Sequence, residues 1–246
     1  MSSPRATGSP PASAQPQLTT EDATAILAMA AHELKNALGG IGVALARCDL
    51  RLKGAQPVTA DDLTGVRVEV RRLSALVNEL LDGARVDLGA VHVRPARLDA
   101  AELTREVVEM FRAARGRTVK LELPARPLPL DADGERVRAV LINYLENAVK
   151  YAPDSGAYTV TVGPSPVSGH ARIAVRDEGP GVAPEDQPRL FQRFFRSPGV
   201  ARRTDGLGLG LYVCRSIAEA HGGAVGVASV PGSGATFWLD LPLPQG

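Results

Sequence analysis

Apolar residues recur in alternating steps of three and four from Leu27 onward: Leu27, Ala30, Leu34, Ala37, Ile41, Ala44 and Cys48, with Leu38, Leu45 and Leu52 beside them. That is the heptad pattern of an amphipathic helix with one face built for packing. Upstream, "TTEDA" offers Thr19 or Thr20 as a helix cap, with acidic residues in the first turn. Gly54 and Pro57 in "GAQPV" break the helix, and a stricter repeat follows: Leu63, Val66, Val70, Leu73, Val77, Leu80, Ala84. Two such helices joined by a short breaker predict an antiparallel hairpin. Each keeps apolar flanking positions that one hairpin cannot cover, so the economical solution is a homodimer in which two hairpins form a four-helix bundle.

The period changes at "DGARVDLGAVHVRPARLDA", where glycine and proline enter. A helix reads from about Ala100 to Arg115, followed by strands at "TVKLEL" and "PLPL" and a strong helix over "GERVRAVLINYLENAVKYA". Alternating strands come next at "AYTVTVG" and "ARIAVRDEG", then a helix over "LGLYVCRSIAEAHGG" closed by a glycine cap. A final hairpin, "AVGVASV" and "ATFWLDL", turns through "PGSG". Helices grouped against a mixed sheet predict an α+β domain. The division is therefore a tail over residues 1–20, an all-α domain over 21–88 and an α+β domain over 89–246.

Composition narrows the class. A net charge of +1 argues against bulk electrostatic binding to nucleic acid or an anionic membrane. No apolar run is long enough to span a bilayer, and "MSSPRATGSPPASAQPQ" lacks the apolar core of a signal peptide, reading instead as a disordered tail. The two cysteines, Cys48 and Cys214, sit in apolar patterns as buried reduced thiols rather than a disulfide. The expected location is the cytoplasm.

Candidate chemistry lies in four places. His32, next to Glu33 in "MAAHELKNALGGIG", falls far from both seam positions of its helix and faces solvent. A zinc-protease helix would need a second histidine where Asn36 stands. In "LINYLENAVKYAP", Asn143 and Asn147 share a helix face, with Lys150 and Tyr151 one turn on. An amide oxygen there can hold a hard cation such as Mg²⁺, and the lysine can meet phosphate oxygens. Asp177 ends a strand in "RDEGPGV", where a carboxylate can accept from an exocyclic amine while Gly179 and Gly181 let the backbone approach a flat ligand. Gly206, Gly208 and Gly210 in "TDGLGLGLYVC" precede a helix, so its first N–H groups can cradle phosphate; this is not a dinucleotide fingerprint, because no strand precedes it. Each signal is weak alone, and a solvated asparagine pair or an ordinary turn would serve as well.

Their order is specific. The last three resemble the N, G1 and G2 boxes of the histidine kinase branch of the GHKL ATPase superfamily. "RLFQRFFR", with Phe191, Phe194 and Phe195, resembles that family's F box, and "HELKNAL" its phosphoacceptor H box. The resemblance covers about residues 25 to 242. It implies a dimerisation and phosphotransfer hairpin followed by a Bergerat-type α/β sandwich that binds ATP and Mg²⁺. His32 would accept the γ-phosphoryl group, Glu33 would orient or deprotonate it, and Asn36 would serve dephosphorylation of a response regulator. Asn147 would hold Mg²⁺ with Asn143 beside it, Lys150 and Tyr151 would attend the nucleotide, and Asp177 would bond the adenine amine. Gly179 and Gly181 would shape that pocket; Gly206, Gly208 and Gly210 would flank the phosphates. A lid over residues 196–205 would bring Arg202 and Arg203.

The implied activity is a cytoplasmic, sensor-less histidine protein kinase that phosphorylates itself on His32 and passes the group to an aspartate of a receiver domain, with a phosphatase activity toward the same partner as a further expectation. The stimulus would arrive through a separate sensor protein or the tail. The alternative is a dimeric scaffold or phosphotransfer adaptor with an impaired pocket. One departure from the family stands out: Ala37 occupies the place of a usual proline, which predicts a straighter helix beside His32.

Overall fold

The computed structural model describes residues 20–88, 91–198 and 206–244. The expected tail, the Thr19 cap and both lid arginines, Arg202 and Arg203, lie outside the described residues.

The heptads become two long helices, α1 (Thr20–Lys53) and α2 (Ala60–Asp87). Ala30, Ala37 and Cys48 are buried and Leu34, Ile41 and Ala44 half-buried, so the seam of α1 turns inward as its phase requires. At the turn, Thr59 and Asp62 form a reciprocal capping box: Asp62 Oδ2 accepts from Thr59 N at 2.8 Å and from Thr59 Oγ1 at 2.7 Å. Arg51 Nε meets Asp62 Oδ1 at 3.0 Å and ties the end of α1 to the start of α2. The Thr59 hydrogen bonds, backbone first, hold the Asp62 carboxyl below its ordinary pKa.

In α2 the packing departs from the simple stripe. Asp62, Leu76 and Gly83 are its buried positions, and Val66, Leu73 and Leu80 are half-buried. Leu63, Val70 and Val77 remain 42%, 45% and 41% exposed, and so do Leu38, Leu45 and Leu52 of α1 at 57%, 48% and 63%. The reason is that α2 has two neighbours within the chain, α1 and the second domain, and its remaining apolar column meets neither.

The second domain begins with β1 (Ala96–Asp99), a short strand the sequence pattern does not announce, paired antiparallel with β3 (Pro129–Ala132). Between them run α3 (Ala100–Arg115), capped by Asp99 and closed by Gly116 at φ 60°, and β2 (Val119–Glu122). Then come α4 (Gly134–Tyr151), β4 (Tyr158–Pro164), β5 (His170–Arg176), α5 (Gly210–Ala220), β6 (Ala224–Ser229) and β7 (Ala235–Pro242). The sheet has the order β2-β4-β5-β7-β6, with only β2 and β4 parallel. Register aligns Val160 with Val175, Ile173 with Leu239 and Val175 with Phe237, so alternate residues stack on one face. The helices cover that face, burying Val107, Phe111, Val140, Leu141, Tyr144 and Ile217 with it. This is the expected two-layer α/β sandwich.

Asp133 caps α4, its Oδ1 accepting from Arg136 N at 3.2 Å. The Asp133 N–H donates to His221 Nε2 at 2.9 Å, and His221 Nδ1 lies 2.8 Å from Ile217 O at the end of α5. Accepting at Nε2 requires the ring proton on Nδ1, where it satisfies that carbonyl.

Candidate functional site

A cavity of about 800 Å³ opens between α4, α5 and the end of β5, and α2 forms one wall of it. Asn143, Asn147, Lys150, Tyr151, Asp177, Gly181, Gly206, Gly208 and Gly210 all line it, so residues from three separate sequence motifs meet in one place. The spacing in α4 explains the first part. Asn143 and Asn147 lie one turn apart, and Asn147 Nδ2 donates to Asn143 Oδ1 at 3.0 Å. That bond turns the donor of Asn147 toward its neighbour and leaves its carbonyl oxygen as the group for a cation. Apolar Ile142, Val182, Leu190, Leu211 and Phe237 complete the wall suited to a flat base.

Asp177 stands one residue past β5 and is 6% exposed. Its Oδ1 accepts from Gly179 N at 2.8 Å and from Ala235 N at 3.3 Å. With one oxygen engaged by the backbone, the other is the acceptor the cavity can use. Burial pushes the Asp177 pKa above the ordinary carboxylate value, against the pull of those N–H groups. Gly181, at φ 71°, could carry no side chain: a Cβ there would stand 2.4 Å from Val230 O. Gly179 shapes the turn rather than the cavity wall, since a Cβ would meet Ala152 at 2.8 Å.

The glycine loop is held from both sides. Phe194, in the left-handed region at φ 59°, donates its N–H to Gly208 O at 3.0 Å. A Cβ on Gly210 would fall 2.4 Å from Asn143 Nδ2, so α5 begins in direct contact with the asparagine pair. The Asn147 oxygen is the group in this lining that suits a hard cation, and among the described residues no group of three or more His, Cys, Asp or Glu could cage a metal alone. A cation here would share Asn147 with phosphate oxygens and water, as Mg²⁺ commonly does.

His32 and Asn36 are exposed on α1, away from the cavity lining, as their phase predicted. Glu33 is half-buried, its Oε2 3.4 Å from Arg72 of α2. The structure therefore holds His32 and the cavity at separate places on one chain.

Sequence reasoning missed the contact between the two domains. Glu79 of α2 accepts from Leu209 N at 2.8 Å (Oε1) and from Leu207 N at 3.2 Å (Oε2). Asp87 accepts from Tyr212 Oη at 3.2 Å and pairs with Arg193 at 2.5 Å. Leu207, Leu209 and Tyr212 pack with Ala30, Ala37 and Leu76 in a second apolar cluster. The only sequence signal was the pair of leucines between the glycines, which a surface phosphate loop does not need.

Two family models match the chain. Residues 23–89 match the His Kinase A (phospho-acceptor) domain, and residues 132–245 match the histidine kinase-, DNA gyrase B- and HSP90-like ATPase. Among curated proteins, the "Adaptive-response sensory kinase SasA" of Parasynechococcus marenigrum (strain WH8102) is 37% identical over 90% of this chain and 57% of its own length. The chain thus spans little more than half of that relative. Among solved structures, full-length ShkA in complex with AMPPNP superposes with a TM-score of 0.62 at 28% identity, over 91% of this chain and 46% of ShkA. The histidine kinase ThkA, solved in complex with the response regulator protein TrrA, shares the fold at a TM-score of 0.65 and 22% identity, over 91% of this chain and 64% of ThkA.

Proposed function

Since the chain belongs to the histidine kinases, we propose that it is a dimeric, ATP-dependent protein-histidine kinase acting through His32 on a response regulator. The observation that carries this reading is the pairing, on one chain, of an exposed His-Glu on a bundle helix with a cavity walled by Asn143, Asn147, Lys150 and Asp177.

Asp177 accepts from the adenine amine, and Lys150 with the glycine-loop N–H groups takes the phosphate oxygens. Asn147 would hold Mg²⁺, which would neutralise charge on the phosphates. A His32 ring nitrogen attacks the γ-phosphorus; a P–N bond forms, the bond to the β-phosphate oxygen breaks, and ADP leaves. Glu33 holds the ring and takes its N–H proton. The phosphoryl group then passes to a receiver-domain aspartate, and Asn36, one turn beyond His32, orients the water that later hydrolyses that aspartyl phosphate to aspartate and inorganic phosphate.

The exposed columns of α1 and α2 support the homodimer, since burying them in a second hairpin removes six large apolar residues from water. No described helix is long and apolar enough to cross a membrane; we place the reaction in the cytoplasm, where ATP and receiver domains meet. The assigned boundaries are 21–88 for the phosphotransfer domain and 89–246 for the catalytic domain. Labelled ATP with Mg²⁺ should leave an acid-labile, base-stable phosphate on the protein. Labelling that persists in His32→Ala would remove the acceptor assignment.

A further inference from the structure

We propose that the Glu79 carboxylate is an internal stand-in for a nucleotide phosphate: it seats α2 on the glycine loop, and a bound nucleotide must displace it. The inference rests on the ATP-binding reading of the cavity. Both oxygens of one carboxylate accept from alternate backbone N–H groups, Leu207 at 3.2 Å and Leu209 at 2.8 Å. The geometry follows from the loop: Gly206 at φ 123° and Gly208 at φ 72° turn successive amides to one side, which makes an anion-binding concavity. Leu209 is also the residue at the mouth of α5, whose first N–H groups have no partner within their own helix.

The seat carries positive charge besides. Lys150 Nζ lies 3.1 Å from the point where a Cβ on Gly206 would stand, and Glu79 Oε2 lies 3.7 Å from the same point. Ammonium, backbone donors and carboxylate converge on one glycine, within the cavity that Asn143 and Asn147 also line. The Leu207 and Leu209 side chains point the other way, fully buried against α2, and the Leu209 methyls come 2.9 Å and 3.2 Å from a Cβ placed on Gly83. Docking and anion binding are thus two sides of the same five residues.

Two anions cannot hold those donors together. Entry of a nucleotide's phosphates therefore releases Glu79 and loosens the loop from α2, while Asp87 still holds Tyr212 and Arg193 among the described residues. The seated form is a resting state of the kinase that ATP itself opens.

The test is calorimetry on the full chain with ATP, ADP and adenosine, comparing wild type with Glu79→Ala and Glu79→Gln. If the seated form outweighs the open one tenfold, Glu79→Ala lowers the ATP dissociation constant about tenfold. Glu79→Gln falls between, because its amide oxygen still accepts but carries no charge. Adenosine affinity stays unchanged. In parallel, a label pair on α2 and α5 should lengthen when Mg-ATP is added to wild type, and start long in Glu79→Ala. ATP affinity equal in all three proteins, or an equal gain for adenosine, overturns the competition while leaving ATP binding in place. No nucleotide binding in any variant removes the ATP reading and this inference with it.

Discussion

Replacing Asp177 by asparagine isolates one hydrogen bond. In the structure Oδ1 is committed to Gly179 N and Ala235 N, at 2.8 Å and 3.3 Å. An asparagine carbonyl can keep both, so the turn and the strand end survive. What changes is the second atom: an acceptor oxygen becomes an NH₂ donor, which on the proposed reading would face the adenine amine. A hydrogen bond to a charged partner contributes roughly 1.5–3 kcal/mol, so the ATP dissociation constant should rise about ten- to 150-fold. The same substitution should favour GTP, whose carbonyl at that ring position meets a donor instead of a carboxylate, and the preference for ATP over GTP should collapse. Calorimetry with both nucleotides reads the effect, and the melting temperature checks the fold. Unchanged ATP affinity, or equal losses for both nucleotides, would refute the assignment of Asp177 to the base.

Asp177 also sets a pH dependence. Burial raises its pKa, so the folded chain holds that proton more tightly than the unfolded chain; the associated stability is full below the unfolded value and lost as pH rises through the folded one. If the ionised form is the adenine acceptor, as proposed, nucleotide affinity should fall on acidification at a higher pH than an ordinary aspartate would produce, while Asp177→Asn should lack that limb. Val70→Glu places a charge in the exposed α2 column and should convert the proposed dimer to monomer in sedimentation, since an unpaired buried charge costs several kcal/mol; a persistent dimer would move the interface elsewhere. Thr59→Ala removes the capping box and should cost about 1 kcal/mol in denaturant unfolding. Asp62 is held below its ordinary pKa, so its contribution is present above the unfolded value and lost as pH falls through the folded one; Thr59→Ala should shrink that acid-side loss. Ala37→Pro removes a helical N–H at a fully buried position and should lower the melting temperature, a cost of about 3 kcal/mol or more; an unchanged melt would mean that α1 is already bent there.

What the sequence made legible follows from the range of the forces involved. The exposure of His32, the asparagine pair and the helix-strand order depend on local period, and the structure keeps them. β1 escaped notice because four residues between proline- and glycine-bearing segments are too few to show alternation. The α2 stripe was read correctly as apolar, but which column meets which neighbour depends on a second domain docking against the helix. Glu79 reads as an ordinary polar residue of α2 and gains meaning only by meeting backbone amides 128 and 130 positions away. Asp177 was visible as a strand-end carboxylate, though not the division of labour between its two oxygens.

The bond from Asp133 N–H to His221 has a mechanical consequence. It pins the start of α4 to the end of α5, while Gly210 presses on Asn143 at the other end of α5. α5 is held to α4 at both of its own ends, at Asp133 and at Asn143, so the mouth of α5 and the middle of α4 keep a fixed spacing like two members of a braced frame. A nucleotide must come and go past the frame's open side, where α2, Arg196 and Ser197 line the cavity. The timing of exchange is then governed by whatever stands at that side, and mutations inside the frame should alter affinity without altering how often the site is accessible.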